Sequence, residues 1–509
     1  MARTPAFAVL RDALRTALSR ERGLDPQHSL RRLGRRSFAR QSASLLAAGA
    51  LAPWLDACKR DGPRIAVVGA GLAGLSCAYR LRRAGVHCTV YDAQARVGGR
   101  VWTAYGKFRD GLYGELGAEF IDTEHETLRR LCRELRLVLD DLAAPPNNTD
   151  TRLYFGGRLL SEAELVEAYR PLAAQIRADL ALARRDPSAF ARLDRMSLAG
   201  WLEAQRELDA TLRSVLSVAY LGEYGLEPEE QSVFNLFWQI DADTPEPFRP
   251  LGSSDERYRV RGGNSRIAAA LAERVRDQLE LEQRLLRVTQ RADDSFQLTF
   301  ERHGGTRELR CDVLALALPF SLLRRVELEL PLPATKRRVI AELGYGTNAK
   351  LIGQYAERTW LTRHATSGGA LTDLPVQTTW DASRAQPGLS GLLTVFLGGH
   401  QGAELDRGTP EARARGFSRN IDAIFAGTEA AYVTDSALRM HWPTLPHALG
   451  SYACYRPGQA AWSGVESARV GHVHFCGEHT STQFQGFMEG AAESGERVAQ
   501  EILSDLRRV

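Results

Sequence analysis

The chain of 509 residues lacks several things, and each lack excludes a class of protein. Its seven cysteines (58, 77, 88, 132, 311, 454, 476) are scattered, with no C-x-x-C pair, and no histidines cluster at ligand spacing. A disulfide scaffold and a structural zinc site are thereby excluded, and no metal is expected. There are no repeats and no low-complexity tracts, and 44% hydrophobic with 25% charged residues is the composition of a folded, soluble protein. At roughly 150 residues per domain, the length corresponds to two or three domains, or to two interleaved ones. Lysine is scarce: four (59, 107, 336, 350) against 62 arginines. A strong net charge is lacking too. Residues 1–60 hold 12 basic and 4 acidic residues (net +8), and the remaining 449 are faintly acidic at net −4. A basic head on an acidic body is not a nucleic-acid binder.

The head has its own logic. Gly34-Arg-Arg-Ser-Phe-Ala-Arg40 precedes an apolar run of about 14 residues, Ser42 to Leu55, shorter than the roughly 20 of a spanning helix. The paired arginines with phenylalanine two positions on resemble a twin-arginine signal, so export to the periplasm or beyond is expected. Leu55-Asp-Ala-Cys58 resembles a lipoprotein cleavage box, which makes Cys58 a candidate lipid anchor, although Asp56 fits that pattern poorly. Membrane contact is expected only through these features.

Beyond residue 60, Arg64 to Val68 is a β-branched run bounded by Gly62-Pro63 and by glycines, the pattern of a buried strand. Leu72 to Ala84 has helical spacing with a cationic last turn and Gly85 as its stop, and Val86 to Tyr91 is the next strand. Residues 125–235 are helix-rich, notably 161–185 and 201–219, with breaks at 145–149 and at Pro245-Glu-Pro247. From 284 to 317 the pattern turns to strands (285–290, 296–300, 313–318). A last strand at Val473 to Cys476 leads through Gly477 and a loop into a helix over 487–504.

Gly69-Ala-Gly71-Leu-Ala-Gly74 lies between the first strand and its helix. Gly69 permits the tight turn, Gly71 lets a pyrophosphate approach the backbone, and Gly74 lets helix and strand pack closely. Asp92, 18 residues past Gly74, ends the second strand where it can accept from a ribose diol. Arg96-Val-Gly98-Gly99-Arg100 then places two cations around a flexible glycine pair, suited to a second phosphate. Spacing alone leaves FAD and NAD both open.

With these residues in place, the sequence resembles the flavin-containing amine oxidases, the family of monoamine, polyamine and L-amino acid oxidases. Four blocks carry the resemblance: the glycine-rich unit with Arg96 to Thr103; Gly114-Glu-Leu-Gly-Ala-Glu-Phe-Ile121; Asn348-Ala-Lys350-Leu-Ile352; and Phe475-Cys-Gly-Glu-His-Thr-Ser481 with Gly486-Phe-Met-Glu-Gly-Ala491. The resemblance implies an α/β fold in which a Rossmann-like FAD-binding domain is interleaved with a mixed α+β substrate domain. Cofactor-binding segments are then expected at 61–112, 258–335 and 446–509, and substrate segments at 113–257 and 336–445, after a leader over 1–60. It implies FAD as cofactor, with Gly477, Glu478 and Met488 near the flavin end and Val288 at the adenine edge. It also implies that Lys350 holds a water at flavin N5, and that Tyr452 and Phe487 form an aromatic substrate cage with Trp462 closing another wall. The composition gives Lys350 an independent hint, because a lysine in an apolar strand of an arginine-rich chain marks a site that wants a compact amine.

The implied cycle is hydride transfer from an amine α-carbon to the flavin, hydrolysis of the imine, and reoxidation by O2 to hydrogen peroxide. Ser451 stands where monoamine oxidases of mammals have a flavin-linking cysteine, so FAD is expected to be non-covalent. Glu119 stands where L-amino acid oxidases have a carboxylate-gripping arginine. It is expected to line the substrate pocket and to hold a second ammonium, which favours amines or diamines. Two alternatives stay open. One is oxidation or oxidative decarboxylation of L-amino acids, supported by the run Gly450 to Gln459; the other is a flavin electron carrier that is not an oxidase. A homodimer is also left open.

Overall fold

The computed structural model describes residues 62–144 and 150–507. The twin-arginine leader, Cys58 and the 145–149 break lie outside the described residues.

Ile65–Val68 is buried at all four positions, as a strand covered on both faces must be. It centres a five-stranded parallel sheet in the order Val473–Phe475, Val313–Leu316, Ile65–Val68, Thr89–Tyr91, Leu279–Glu280. Three distant stretches of sequence thus build one sheet. The helices Leu72–Arg83 and Met488–Leu506 pack against each other over it. Arg80 joins this pair to a third helix, Glu126–Glu134: one guanidinium nitrogen lies 2.6 Å from Glu134 and the other 2.6 Å from Glu496. The first helix stops where expected, in a left-handed Gly85, but the amide of Val86 then bonds back to Leu81 O. That turn holds Val86 out of the ladder, so the second strand begins at Thr89.

Beside this sheet, Gly305–Cys311, Phe296–Arg302 and Arg284–Gln290 form an antiparallel meander, with Glu327–Glu329 parallel on its far edge. A seven-stranded sheet lies apart in the order Leu438–His441, Ala349–Tyr355, Gly391–Leu397, Thr378–Asp381, Gly369–Thr372, Thr151–Phe155, Arg158–Leu159. Ala349–Tyr355 is buried at every position. The last two strands lie within the stretch read as helical. Their signals are a β-branched and aromatic run and a Gly156-Gly157 turn, both at positive φ, that closes a hairpin.

The helices over that sheet follow their caps. Glu162–Arg185 opens on a full capping box of Ser161 and Glu164. The pattern read as one helix over 201–219 is two, Leu198–Ala204 and Ala210–Tyr224. Asp209 starts the second by accepting from Leu212 N at 2.9 Å. Among the described residues no helix is long and apolar enough to cross a membrane.

Candidate active site

The glycine turn shows what a Cβ would meet at each position. At Gly69 it would lie 2.6 Å from Ala317 O, and at Gly74 1.9 Å from Gly69 O, so both glycines pack backbone on backbone. At Gly71 it would meet nothing within 4 Å. The open face is therefore at the glycine expected to receive a pyrophosphate, and no side chain caps the helix that starts there. Gly98 pairs with Gly71, its amide bonding Ala70 O at 2.8 Å, which brings the 96–100 loop alongside. Asp92 accepts from Ala70 N at 2.7 Å and Gln94 N at 2.8 Å, and burial raises its pKa despite those amides. Arg96 stacks 3.9 Å from the Trp102 ring centroid and donates to Gly99 O at 2.6 Å. Its buried Nε has no hydrogen-bond partner. A cleft of about 690 Å³ opens past the second strand, between Gln94, Arg96, Trp102, Glu282 and Arg284.

At the other end, Glu478 ties the cradle to the C-terminal motif. One carboxylate oxygen accepts from Arg100 Nη1 at 2.8 Å and the other from Gly486 N at 2.8 Å, while the same guanidinium donates to Ser451 O at 2.6 Å. Gly477 is at φ 137°, and its amide donates to Ser494 Oγ at 2.9 Å. Phe487 caps the helix Met488–Leu506 without a side-chain bond, so those first-turn amides also have no side-chain partner. Met488 is buried in the core between these helices and the parallel sheet, and Glu489 instead caps a neighbour, accepting from Thr127 N and Leu128 N at 2.8 and 2.7 Å. An open glycine face, unpartnered donors and two uncapped helix starts fit the phosphates and polar edges of a dinucleotide.

Lys350 lies within the seven-stranded sheet, 5% exposed, so it does not snorkel to solvent. Its three ammonium hydrogens meet three acceptors on one loop: Glu115 O at 3.2 Å, Gly117 O at 2.8 Å and Glu119 Oε2 at 3.0 Å. The ring centroids of Trp380 and Phe396 lie 5.0 and 5.9 Å from it. The loop is seated on the cofactor residues, since a Cβ at Gly117 would lie 1.8 Å from Arg100 O and Ala118 N bonds that same oxygen at 3.2 Å. The Glu115 carboxyl is pushed up to about 7 by burial, opposed by its bonds from Asn264 N and Thr103.

Tyr452 and Phe487 both flank Gly486. The Tyr452 ring lies over Gly486, 3.7 Å from where a Cβ would stand, and Phe487 is the next residue. The Tyr452 hydroxyl reaches Gly222 O at 3.5 Å, Asn348 Nδ2 donates to the same oxygen at 2.6 Å, and Ser451 Oγ donates to Asn348 Oδ1. Cage and lysine strand are thus tied through one carbonyl. Phe487 also meets the buried ring of His125, 5.3 Å between centroids; burial drives that imidazole down to about 3, so it is neutral.

Three expectations need correction. Val288 is fully buried, and its strand is paired on both sides, with Leu298 and with Leu328, so it has no free edge to offer an adenine. The start of that strand, rather than Val288, faces the cleft. Arg284 lines the cleft, and the backbone N–H of Gln283 donates to Asp92 O while both polar atoms of its side chain are buried without partners. Trp462 packs among Ala453, Tyr455 and Val465 with Arg338 5.6 Å from its ring, in the core of the cofactor half rather than beside Lys350. Glu119 is at the site, but its charge is already engaged: Lys350 and Trp380 Nε1 share one oxygen at 3.0 Å each, and Arg259 Nη1 lies 3.4 Å from the other. It is not free to receive a second ammonium.

The family profile described as flavin containing amine oxidoreductase matches residues 72–503. The chain belongs to that family. Amine oxidase B of Sus scrofa is 24% identical over 472 residues, covering 87% of each chain. A Bacillus subtilis protein provisionally named an L-amino-acid oxidase is 25% identical over 479 residues, covering 86% of this chain and 94% of its own. In fold, the chain is similar to a wild-type putrescine oxidase bound to putrescine (TM-score 0.73, 22% identity) and to cyclohexylamine oxidase from Brevibacterium oxydans IH-35A (0.74, 23%). Both alignments cover 87% of this chain and 99% of the other. This flavin amine oxidoreductase is an α/β protein that uses FAD and acts on CH–NH2 groups. Its six described cysteines are all buried, and Ser451 before the cage tyrosine offers no thiol, in keeping with non-covalent FAD.

Trp380, Phe396, Arg259, Gln283 and Arg384 went unread in the sequence. Trp380 and Phe396 were legible in principle as bulky residues in alternating strands. Arg259 was hidden by abundance, one arginine among 62.

Proposed function

We propose that this oxidoreductase converts a primary amine to a carbonyl compound at the α-carbon, with the overall balance of amine, O2 and water giving aldehyde, ammonia and hydrogen peroxide. FAD, when bound, supplies the two-electron acceptor and returns the electrons to dioxygen. The Gly71 face, Asp92, Arg96, Arg100, Glu478 and the helix start at Met488 would hold it. Tyr452 and Phe487 on one side, with Trp380 and Phe396 on the other, orient the substrate and exclude water from its reacting carbon. The observation that carries this reading is the unbroken linkage from Lys350 through the 115–119 loop to Arg100, then to Glu478, then to Gly486 between the two cage aromatics. Anaerobic bleaching of the visible flavin band by a panel of primary amines, followed by peroxide release under air, tests it. Bleaching by no amine, or reduction without peroxide, would overturn it.

One observation favours a second reading, oxidation of an L-amino acid. Arg384 is half-buried, its Nε has no hydrogen-bond partner, and its guanidinium stacks 5.3 Å from Phe120, which in turn touches Trp380. A guanidinium there suits a substrate carboxylate. The two readings separate on one comparison: Arg384→Met raises KM for amino acids alone if the carboxylate reading is right. We propose further that the leader exports the protein by the twin-arginine route. Cell fractionation with Arg35→Lys/Arg36→Lys checks this, retention in the cytoplasm being the expected result.

A further inference from the structure

Glu119 is a carboxylate with no solvent to stabilise it and no part in redox chemistry, yet it sits between two cations. The side chains of Lys350, Glu119 and Arg259 are 6%, 2% and 0% exposed. The outer cation is rigid, since Arg259 also donates to Ala382 O at 2.6 Å and Arg384 O at 2.5 Å. The Glu119 oxygen that takes the ammonium also takes the Trp380 indole, so one atom fixes both the amine and the ring beneath it.

We propose that Glu119 is a positioning residue that acts through Lys350, holding the amine as a cation against the 115–119 loop and so holding that loop on Arg100. An ammonium has three hydrogens, and this loop accepts all three. A neutral amine has two, and would release one of Glu115 O, Gly117 O or Glu119. The charge on Glu119 is what keeps the third. Without it, Lys350 and Arg259 would be two buried cations with no anion between them, and the proton lost would be the amine's, because a guanidinium keeps its own. The groups around Lys350 offer no substitute. Its strand neighbours are Phe396 and Met440, Trp380 and Phe396 are uncharged, and the Glu115 carboxyl is turned to Asn264 and Thr103 and raised by burial; behind Glu119, the Arg384 cation is matched by the carboxyls of Glu256 and Asp381, which face that guanidinium and make no hydrogen bond to Lys350. This inference rests on the family assignment and not on which amine is oxidised.

The test is a double-variant cycle on the FAD-loaded protein, with Glu119→Gln, Glu119→Asp, Lys350→Met and Glu119→Gln/Lys350→Met. Glu119→Gln keeps the shape and an acceptor but removes the charge. Its flavin reduction at pH 7 is expected to fall about tenfold or more, with KM changed less than about threefold and the pH profile displaced by about one unit or more. Glu119→Asp, which keeps the charge, is expected to restore most of that rate. In the Lys350→Met background, Glu119→Gln is expected to change the rate less than about twofold. A second readout is the visible spectrum of the resting holoenzyme against pH, which needs no substrate: a pH-dependent band shift appears in Glu119→Gln and disappears in the double variant. If Glu119→Gln fails to retain FAD, the double variant, which removes both charges of the pair, is expected to regain it. Equal losses with and without Lys350, a spectrum as pH-independent as that of the wild type, or no recovery in the double variant would overturn the proposal.

Discussion

Two glycines three residues apart make opposite predictions. A Cβ at Gly74 would stand 1.9 Å from Gly69 O, a contact with backbone on both sides that nothing nearby can relieve. Gly74→Ala is therefore an overpacking change, expected to cost about 1–3 kcal/mol or to prevent folding. Gly71 differs. Its φ of −72° is open to any residue, and no atom lies within 4 Å of the Cβ position. The folded apo-protein therefore accommodates alanine, with about 1 kcal/mol at stake from the weaker helix cap and about 2–4 °C or less in Tm for a chain of this size. The methyl instead fills the space where a pyrophosphate approaches, and FAD affinity is expected to fall about tenfold or more, which is about 1.4 kcal/mol. Apo-protein titrated with FAD, followed by flavin fluorescence, and thermal melting with and without FAD measure the two effects separately. Gly71→Ala with unaltered FAD affinity would refute the placement of the cofactor, whatever its melting temperature.

Val288→Ala is expected to destabilise the apo-protein by about 1–3 kcal/mol through a cavity in the meander core while leaving FAD affinity within about twofold. Parallel melting and FAD titration check it, and a selective loss of FAD affinity would restore Val288 to the adenine edge. Glu466, buried and bonded from the Tyr455 hydroxyl at 2.8 Å, has its carboxyl pushed from 4.5 up to about 7 by burial. A carboxyl whose folded pKa is raised contributes stability below its unfolded pKa and loses it as pH rises through the folded value. Between about pH 4.5 and 7 the wild type should lose stability relative to Glu466→Gln by on the order of 2 kcal/mol, visible as a steeper fall in Tm with pH.

How far the sequence could be read depended on the range of the physics involved. The βαβ unit was legible because its signals are local: a β-branched run, three glycines, a cationic helix end and an acidic residue all fall within 30 residues. Lys350, Tyr452 and Phe487 were legible as motif positions, and Lys350 also as a rarity. The partner of Lys350 was not, because Glu119 lies 231 residues away in the chain and its meaning depends on which cations fold beside it. Read alone, it was a carboxylate awaiting an ammonium; in the structure that ammonium belongs to the protein. Val288 failed through register: the strand was placed correctly, but which of its residues has a free edge depends on Leu298 and Leu328, pairings no local pattern records. The Thr151–Phe155 hairpin was missed because helical periodicity on its C-terminal side outweighed a five-residue strand.

The scarcity of lysine now has a physical content that can be tested. Of the three described lysines, Lys107 is exposed, whereas Lys336 and Lys350 are buried and donate to backbone carbonyls. Lys336 reaches Val465 O at 2.9 Å and Glu466 O at 2.7 Å, with the Phe475 ring centroid 3.7 Å away. Both buried lysines present a compact tripod of donors to acceptors that converge within 3.2 Å. A planar guanidinium is wider and fixes its donors in one plane, so arginine, otherwise this chain's cation, cannot serve there. Lys336→Arg and Lys350→Arg are each expected to lose about 2–4 kcal/mol through overpacking and unpaired carbonyls, while Lys107→Arg stays within about 0.5 kcal/mol. Urea unfolding of the three variants measures it. If all three were equally neutral, donor geometry would not be what retains lysine in this chain, and the rarity of Lys350 would carry no information about its role.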